Sequence, residues 1–529
     1  MDPVKITIDG KEVVIAKGKT VIQAAAEAGV AIPHYCYHSK LSIAGNCRMC
    51  LVEIEKMPKL QIACNTQVAE GMGVLTQSPK VLAVRKAVLE FLLINHPVDC
   101  PICDQAGECQ LQNYYMEHNR EASRFELGKV HDRKKTIFGP HVIFDGERCI
   151  KCTRCVRFCQ EITKTDELAV INRGDHSTIA LFDDSVLDNP LSANVVDICP
   201  VGALTDRDFR FKVRVWYLQK TPSVCPGCST GCNISVETYQ NRIARFKPRI
   251  NEAVNSHWIC DEGRYCFHEL TGGERLTVPL IRQEGGLVPT TWDNALQAVL
   301  AGLRSAKAAA GIMSGRSTNE EAFLFAKLMK KLTPGSPLEV CYQERELSEN
   351  QKILMSPDRA PNFRGGRDMG VRANGGYESL LQKLLAGDVP AAYVVGEDLI
   401  GANRDGEKIR GALEKLSFLV VQDTRMTATA KLAHVVLPAA HFGEKEGTYT
   451  NRNGRVQKLN AAVIAPGEAL QDSEIFLRLL QTAGEKLAYS TPREIFAALA
   501  QEVSAYKGLG YDSLGDQGAE LGSAGGGAT

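Results

Sequence analysis

The chain has 529 residues, 44% hydrophobic and 23% charged, with 62 basic and 62 acidic side chains and a formal net charge of zero. These values are those of a globular protein of roughly three to five domains, and they give no pull toward nucleic acid or an anionic membrane. No run of 18 or more apolar residues occurs, so no spanning helix is expected, and the opening MDPVKITIDGKEVVIAKGK lacks the apolar core of a secretory leader.

In chain order, VKITIDGKEVVIAKG alternates apolar and polar residues about Asp9-Gly10, which predicts a β-hairpin. TVIQAAAEAG follows as a short helix, with Thr20 at the N-cap and Gly29 as the stop. MCLVEIE reads as a strand. SPKVLAVRKAVLEFLLIN reads as a second helix, with Ser78 at the N-cap, Pro79 at the first helical position and Pro97 beyond its end. Its apolar stripe is expected at Val81, Val84, Val88, Phe91 and Leu92. Further on, NISVETYQNRIARFKPR reads as a hairpin, and the stretch after residue 275 alternates apolar runs with helical patterns, an α/β layout with a largely parallel sheet.

Eighteen cysteines dominate the chemistry, and seventeen of them lie between residues 36 and 266. In a reducing compartment they are not disulfides, and buried structural cysteines would be dispersed, not grouped at two- and three-residue gaps. Four groups emerge. Cys36, Cys47, Cys50 and Cys64 follow C-x10-C-x2-C-x13-C, looser at the first gap than plant-type [2Fe–2S] ferredoxins. Cys100, Cys103 and Cys109 form a triplet that lacks a fourth ligand. Cys149, Cys152, Cys155 and Cys199 retain half of a two-cluster ferredoxin pattern, leaving Cys159 as a remnant of a second cluster whose other ligands are missing. Cys225, Cys228, Cys232 and Cys260 follow C-x2-C-x3-C-x27-C, with Cys266 left over. Zinc is the competing occupant of the first and fourth groups.

His96 precedes Cys100 by four positions. A histidine at a helix end can simply interact with the last carbonyls. The ligand count favours another role: the four groups use fifteen cysteines, and one histidine completes four sites of four ligands.

These motifs resemble the large iron–sulfur subunit of respiratory complex I. The resemblance is carried by AGNCRMCLVE, by the H-x3-C-x2-C-x5-C run from His96, by NVVDICPVGALTDRDFRFKVRVWYL, and by HVVLPAAHFGEKEGTYTNRNGRVQ, which is similar to molybdopterin oxidoreductases. It implies α+β and α/β modules: a β-grasp ferredoxin over 1–78, a [4Fe–4S] module with one histidine and three cysteines over 79–120, a one-cluster ferredoxin over 130–215, and a further [4Fe–4S] module over 218–275. A degenerate molybdopterin-oxidoreductase-like domain over 276–510 and a disordered tail over 511–529 complete the expectation. The implied cofactors are one [2Fe–2S] and three [4Fe–4S] clusters, bound in chain order by the four groups, the second including His96. No pterin, flavin or NAD is expected on this chain. Cys341, the one remaining cysteine, lacks the surroundings of a molybdenum ligand, no G-x-G-x-x-G fingerprint is found, and no catalytic residue is expected. Gly315 and Ser317 stand where a strand passes to a helix N-terminus, a potential anion site, but an ordinary turn is the preferred reading.

The resemblance further implies an electron-carrying subunit of a proton-translocating NADH:quinone oxidoreductase. Its partners would be an NADH-oxidising flavoprotein and other peripheral iron–sulfur subunits, on the cytoplasmic side of the bacterial inner membrane and held there through the complex. Electrons would enter at the Cys36 group, pass to the Cys149 group and then to the His96 group, with the Cys225 group off the main path. The alternatives are the α-subunit of an NAD-dependent formate dehydrogenase and a subunit of an NAD-linked hydrogenase. A zinc-stapled scaffold is the non-enzymatic reading. Loss of the second C-x2-C-x2-C run argues against the hydrogenase.

Overall fold

The computed structural model describes residues 3–183, 185–373 and 375–522, which divide into two compact units, Met1–Leu218 and Gln219–Thr529. Among the described residues no helix is long and apolar enough to cross a membrane.

The first unit opens with β1 (Pro3–Ile8) and β2 (Lys11–Ala16), paired antiparallel with Ile8 opposite Lys11. Asp9 and Gly10 between them both have positive φ, as a two-residue turn matching strand twist requires. α1 (Val21–Glu27) starts with the Thr20 N–H donating to Gln23 Oε1 at 2.9 Å, and Gly29 follows its end at φ +73°. With β3 (Leu51–Ile54), β4 (Gln61–Ile62) and β5 (Gly73–Leu75) these strands form a sheet in the order β2-β1-β5-β3-β4, the β-grasp arrangement expected from the sequence. Ile6, Ile8, Val21, Val52 and Val74 form its core.

Ser78 caps α2 (Pro79–Leu93), its Oγ accepting from Val81 N. The buried stripe of α2 is Val81, Arg85 and Leu89, whereas Phe91 is 74% exposed. The stripe therefore lies off the face read from the sequence, because the inner position between Val81 and Leu89 holds an arginine that an apolar count skips. Lys129 Nζ caps the far end, donating to the Leu93 and Ile94 carbonyls at 2.8 Å each. α3 (Gln110–His118) packs on α2. The remainder of the unit is built from β6 (Thr136–Ile137), β7 (Val142–Phe144), α4 (Arg154–Phe158), β8 (Leu168–Ile171), β9 (Thr178–Leu181), α5 (Asn194–Ile198) and β10 (Leu204–Asp206). β10, β7 and β6 make one small sheet, and β8 pairs with β9.

The second unit begins with a three-stranded sheet, β11 (Gln219–Val224), β12 (Asn233–Tyr239) and β13 (Arg242–Pro248), followed by α6 (Asp261–Thr271). β12 and β13 are the expected hairpin, with Gln240 and Asn241 at positive φ in its turn; β11 adds a strand to it. Next come β14 (Leu280–Gln283), β15 (Gly286–Pro289), α7 (Trp292–Ala306), β16 (Ala310–Met313), α8 (Asn319–Leu332), β17 (Leu338–Val340), β18 (Ala391–Val395), β19 (Phe418–Asp423) and β20 (Val435–Pro438). Their sheet runs β15-β14-β20-β19-β18-β16-β17, parallel from β20 to β17. Successive residues of β18 alternate between two cores: Tyr393 and Val395 face α7 and α8, while Ala392 and Val394 face the other layer. Burial on both faces is why these strands read as unbroken apolar runs.

β21 (Gly447–Thr450) and β22 (Arg455–Leu459) pair, and β23 (Ala519–Glu520) joins them as a third strand. This corrects the disordered tail expected from residue 511: its glycine-rich composition does not prevent Glu520 from pairing with Arg455, nor the Asp516 and Gln517 carbonyls from accepting hydrogen bonds from Asn233 and Asn251. Residues 523–529 of that expectation lie outside the described residues.

Near the end of β20, Arg275 grips Glu444 through two bonds of 2.6 and 2.7 Å. Burial pushes this carboxyl up, but the donors of Arg275 and His441 pull it down further, to about 2. A carboxyl held below its unfolded value stabilises the fold above about pH 4.5, and the contribution fades as pH falls toward 2. By this linkage the ionised carboxylate with its Arg275 and His441 donors contributes about 3 kcal/mol at neutral pH. Glu444→Gln is expected to lose about that much local stability at pH 7, and the gap between variant and native protein should close on acidification. Hydrogen exchange of the β20 amides in the full chain checks both; a pH-independent gap refutes the assignment.

Candidate metal centres

The first group is assembled by the β3–β4 hairpin and the loop before it. Ala63 N donates to Cys50 O at 3.0 Å, so the hairpin register brings Cys50 beside Cys64, while Gly45 and Arg48, both at positive φ, wind the loop that carries Cys47. Cys36, Cys50 and Cys64 are at most 1% exposed. The four thiols form two hydrogen-bonded pairs, Cys36 with Cys47 and Cys50 with Cys64. The bond from Cys47 outweighs burial and drives the Cys36 thiol down to about 5, with Arg157 assisting; Cys64 likewise lowers Cys50. Two pairs of thiols suit two irons that each take two cysteines and share two sulfides.

His96 follows the end of α2. Burial, then the charge of Arg148, lowers its pKa to about 4, so the imidazole is neutral at physiological pH. Its Nδ1 is buried with no hydrogen-bond partner, the state of a nitrogen free to ligate metal. Cys100 and Cys103 share a single tight turn, and Cys109 stands at the N-terminus of α3, where burial pushes its thiol up to about 11. His96, Cys100 and Cys109 line one side of a mainly apolar cavity of about 680 Å³, with Phe91, Leu93 and Leu111 among the other walls.

Cys149, Cys152, Cys155 and Cys199 wall a small cavity together with Ile179, Val201 and Leu204. Lys151 and Thr153, at φ +55° and +62°, wind the loop between the first three, and Lys151 N donates to Cys149 Sγ at 3.4 Å. Cys159 stands apart. Its thiol bonds the Glu167 carboxylate, which also accepts from Thr165 and Asn189. A buried polar network thus engages the thiol left over from the pattern of a second cluster.

In the second unit Cys225, Cys228, Cys232 and Cys260 ring another small cavity, with Gly227 and Gly263 in its wall. Gly263 leaves room for the thiols, since a Cβ would lie 3.0 Å from Cys225 Sγ and 3.1 Å from Cys260 Sγ. Cys266, unassigned by the spacing, bonds Gly263 O at 3.2 Å and meets the Cys225 thiol. Cys341 is buried beyond β17 against Tyr377 and Glu397. The turn at Gly315 and Ser317 is the ordinary one: Glu321 Oε2 accepts from Thr318 N at 2.7 Å and Asn362 N donates to Gly315 O, so the chain's own groups fill the helix start. Among the described residues no three His, Cys, Asp or Glu side chains converge as they would on a single metal ion. The thiols of the third and fourth groups instead surround cavities, a disposition that suits a cluster of several atoms better than one Zn²⁺.

Contacts tie the three groups of the first unit into a row. Arg157 Nη2 donates to Cys36 O at 2.6 Å and to Cys152 O at 3.3 Å, joining the Cys36 and Cys149 groups. On the far side Gln110 N donates to Pro200 O at 3.0 Å, Arg148 Nη2 donates to Asp99 Oδ2 at 2.7 Å, and Gly202 approaches Cys103 so closely that a Cβ would lie 2.5 Å from its sulfur. None of these arginine or glycine contacts was singled out from the sequence.

Matching family models are a 2Fe-2S iron-sulfur cluster binding domain over 1–79, the NADH-ubiquinone oxidoreductase-G iron-sulfur binding region over 85–124, and the ferredoxin-like domain of NADH-quinone oxidoreductase subunit 3 over 139–205. A molybdopterin oxidoreductase Fe4S4 domain matches 218–271, and the molybdopterin oxidoreductase model matches 275–344 and 359–482. The G subunit of NADH-quinone oxidoreductase from Rickettsia prowazekii (strain Madrid E) is 42% identical over 335 residues, 62% of this chain and 49% of that one. That of Rickettsia bellii (strain RML369-C) is 43% identical over 308 residues, 58% and 44% of the two chains. The chain is thus similar to NADH-quinone oxidoreductase G subunits over about three fifths of its length. It spans about half the length of the curated relatives it matches. A solved NAD+-reducing [NiFe]-hydrogenase chain in the H2-reduced state is 31% identical, covering 40% of this chain and 91% of that one, with a TM-score of 0.37. The matching models thus describe one 2Fe–2S domain and several 4Fe–4S domains.

Gly202→Ala is expected to push Cys103 aside, because the added Cβ has only 2.5 Å to its sulfur. Iron and acid-labile sulfide should fall, with the loss confined to the groups that meet at Gly202 and the Cys36 group retained. Gly128→Ala, where no atom lies within 4 Å of the new Cβ, is the control. Full iron content in both variants refutes the close contact.

Proposed function

We propose that this chain is an electron-transfer subunit of a proton-translocating NADH:quinone oxidoreductase, with sixteen ligands in four sets: Cys36, Cys47, Cys50 and Cys64; His96, Cys100, Cys103 and Cys109; Cys149, Cys152, Cys155 and Cys199; Cys225, Cys228, Cys232 and Cys260. Iron–sulfur clusters, one [2Fe–2S] in the first set and a [4Fe–4S] in each of the others, supply one-electron carriers when bound. The observation that carries the reading is the row of contacts through Arg157 and Gly202, which supports the order Cys36, Cys149 and His96 for the sets. The protein's own part is to hold each set in a fixed frame and keep water from it. It also sets local charge, through buried arginines and through a neutral imidazole in place of one thiolate.

The row gives the chain two ends. At the Cys36 end we propose a neighbouring NADH-oxidising flavoprotein as donor. At the His96 end we propose further iron–sulfur subunits leading to quinone, the complex holding this chain at the cytoplasmic side of the bacterial inner membrane. The domain after residue 275 is read as pterin-free, with Cys341 engaged by Tyr377 and Glu397.

EPR of the dithionite-reduced complex tests the assignment. One [2Fe–2S] and up to three [4Fe–4S] signals should belong to this chain, with His96→Ala perturbing one [4Fe–4S] signal and sparing the [2Fe–2S]. Fewer than three signals, or stoichiometric molybdenum or tungsten with formate oxidation, overturns the reading.

A further inference from the structure

Arg157 lies on α4 with its side chain 8% exposed. Beyond the bonds of Nη2 to the Cys36 and Cys152 carbonyls, Nη1 donates to Ser42 O and Nε to Thr153 Oγ1 at 3.3 Å. These acceptors are three carbonyls and a hydroxyl, all neutral. Glu161, on the following turn, is held instead by Ser42 N and Oγ, at 2.7 and 2.5 Å. A guanidinium taken out of water without a carboxylate costs several kcal/mol unless other anions face it. Here the groups on its two sides are the sulfurs of the Cys36 and Cys149 sets, anionic when they hold clusters, and the field of Arg157 reaches the Cys36 thiol. Arg154 makes the comparison useful. It also crosses between the two loops, with Nη2 to Tyr37 O at 2.5 Å and Nη1 to Ile198 O at 3.0 Å, yet neither carbonyl belongs to a candidate ligand. Of these two arginines it is Arg157 that bonds a ligand residue on each side through one nitrogen.

Resting on the proposed cluster assignment, we infer that Arg157 is a positioning residue for electron transfer between the Cys36 and Cys149 groups. Its planar fork fixes the separation of the two ligand loops, and its single charge, shared between two net anions, eases reduction of both.

Redox titration followed by EPR, on the intact complex carrying Arg157→Met or Arg157→Lys, separates charge from bridge. In Arg157→Met, at native iron and sulfide content, the [2Fe–2S] and the Cys149-group [4Fe–4S] potentials should both move in the negative direction, with the His96-group signal moving less. Arg157→Lys keeps the charge but not the fork. Its potentials should stay near native, while freeze-quench should show slower electron partition between the two groups. Unmoved potentials in the Met variant, or an equal shift of every signal, overturn the inference. Should the Met variant lose its clusters, the Lys variant decides: partition at the native rate overturns it. A native complex without a [2Fe–2S] signal from this chain would instead sink the underlying assignment.

Discussion

Four groups of thiols are gathered where water is scarce, and much of the first unit is arranged around three of them. Burial alone raises Cys149, Cys155 and Cys232 well above the ordinary thiol value, and neighbouring thiols raise them further. Several such groups could not be ionised together in one cavity without a compensating cation. With clusters in the proposed sets, metal binding and folding would be one equilibrium, since the energy that deprotonates the thiols would also close the loops around them.

The protein contributes compensating charge of its own. Arg85, Arg148, Arg154 and Arg157 are all buried in the first unit, although the chain as a whole is neutral. Arg148 is paired with Asp99 and Asp145, and Arg157 is satisfied by neutral acceptors. Arg85 is the extreme case: its three side-chain nitrogens lack hydrogen-bond partners, and burial lowers its pKa against the fields of Glu117, Asp9 and Cys50. Cations held this way raise the tendency of nearby anionic centres to accept charge, so the arginines belong to the electrostatics of the sites as much as to packing.

The second unit shows the same economy of polar groups in a different setting. Its parallel sheet presents strand ends and a helix start where α/β folds commonly receive anions. Here the helix start is capped from within. Glu321 accepts from Thr318 N and pairs with the buried Lys445, which also meets Asp472, while Glu320 accepts from Thr448. A fully buried lysine between two carboxylates is held charged by them, and the cluster ties α8 to the segment after β20.

Much of this was legible in the linear chain. The proposed ligand sets draw on short loops, so the spacing of Cys149, Cys152 and Cys155 or of His96 and Cys100 is a local pattern. The Asp9-Gly10 turn, the Ser78 cap and the alternation in NISVETY are likewise local in origin. The sequence alone determined which residue types fall into which group. Only the tertiary structure decided that Arg157 spans 121 residues to reach Cys36, that Gly202 rests on Cys103, that Cys266 meets Cys225, and that residues 519–520 add a strand. These contacts join segments far apart in the chain and repeat with no period, so their selection rests on packing and shared charge, which spacing does not encode.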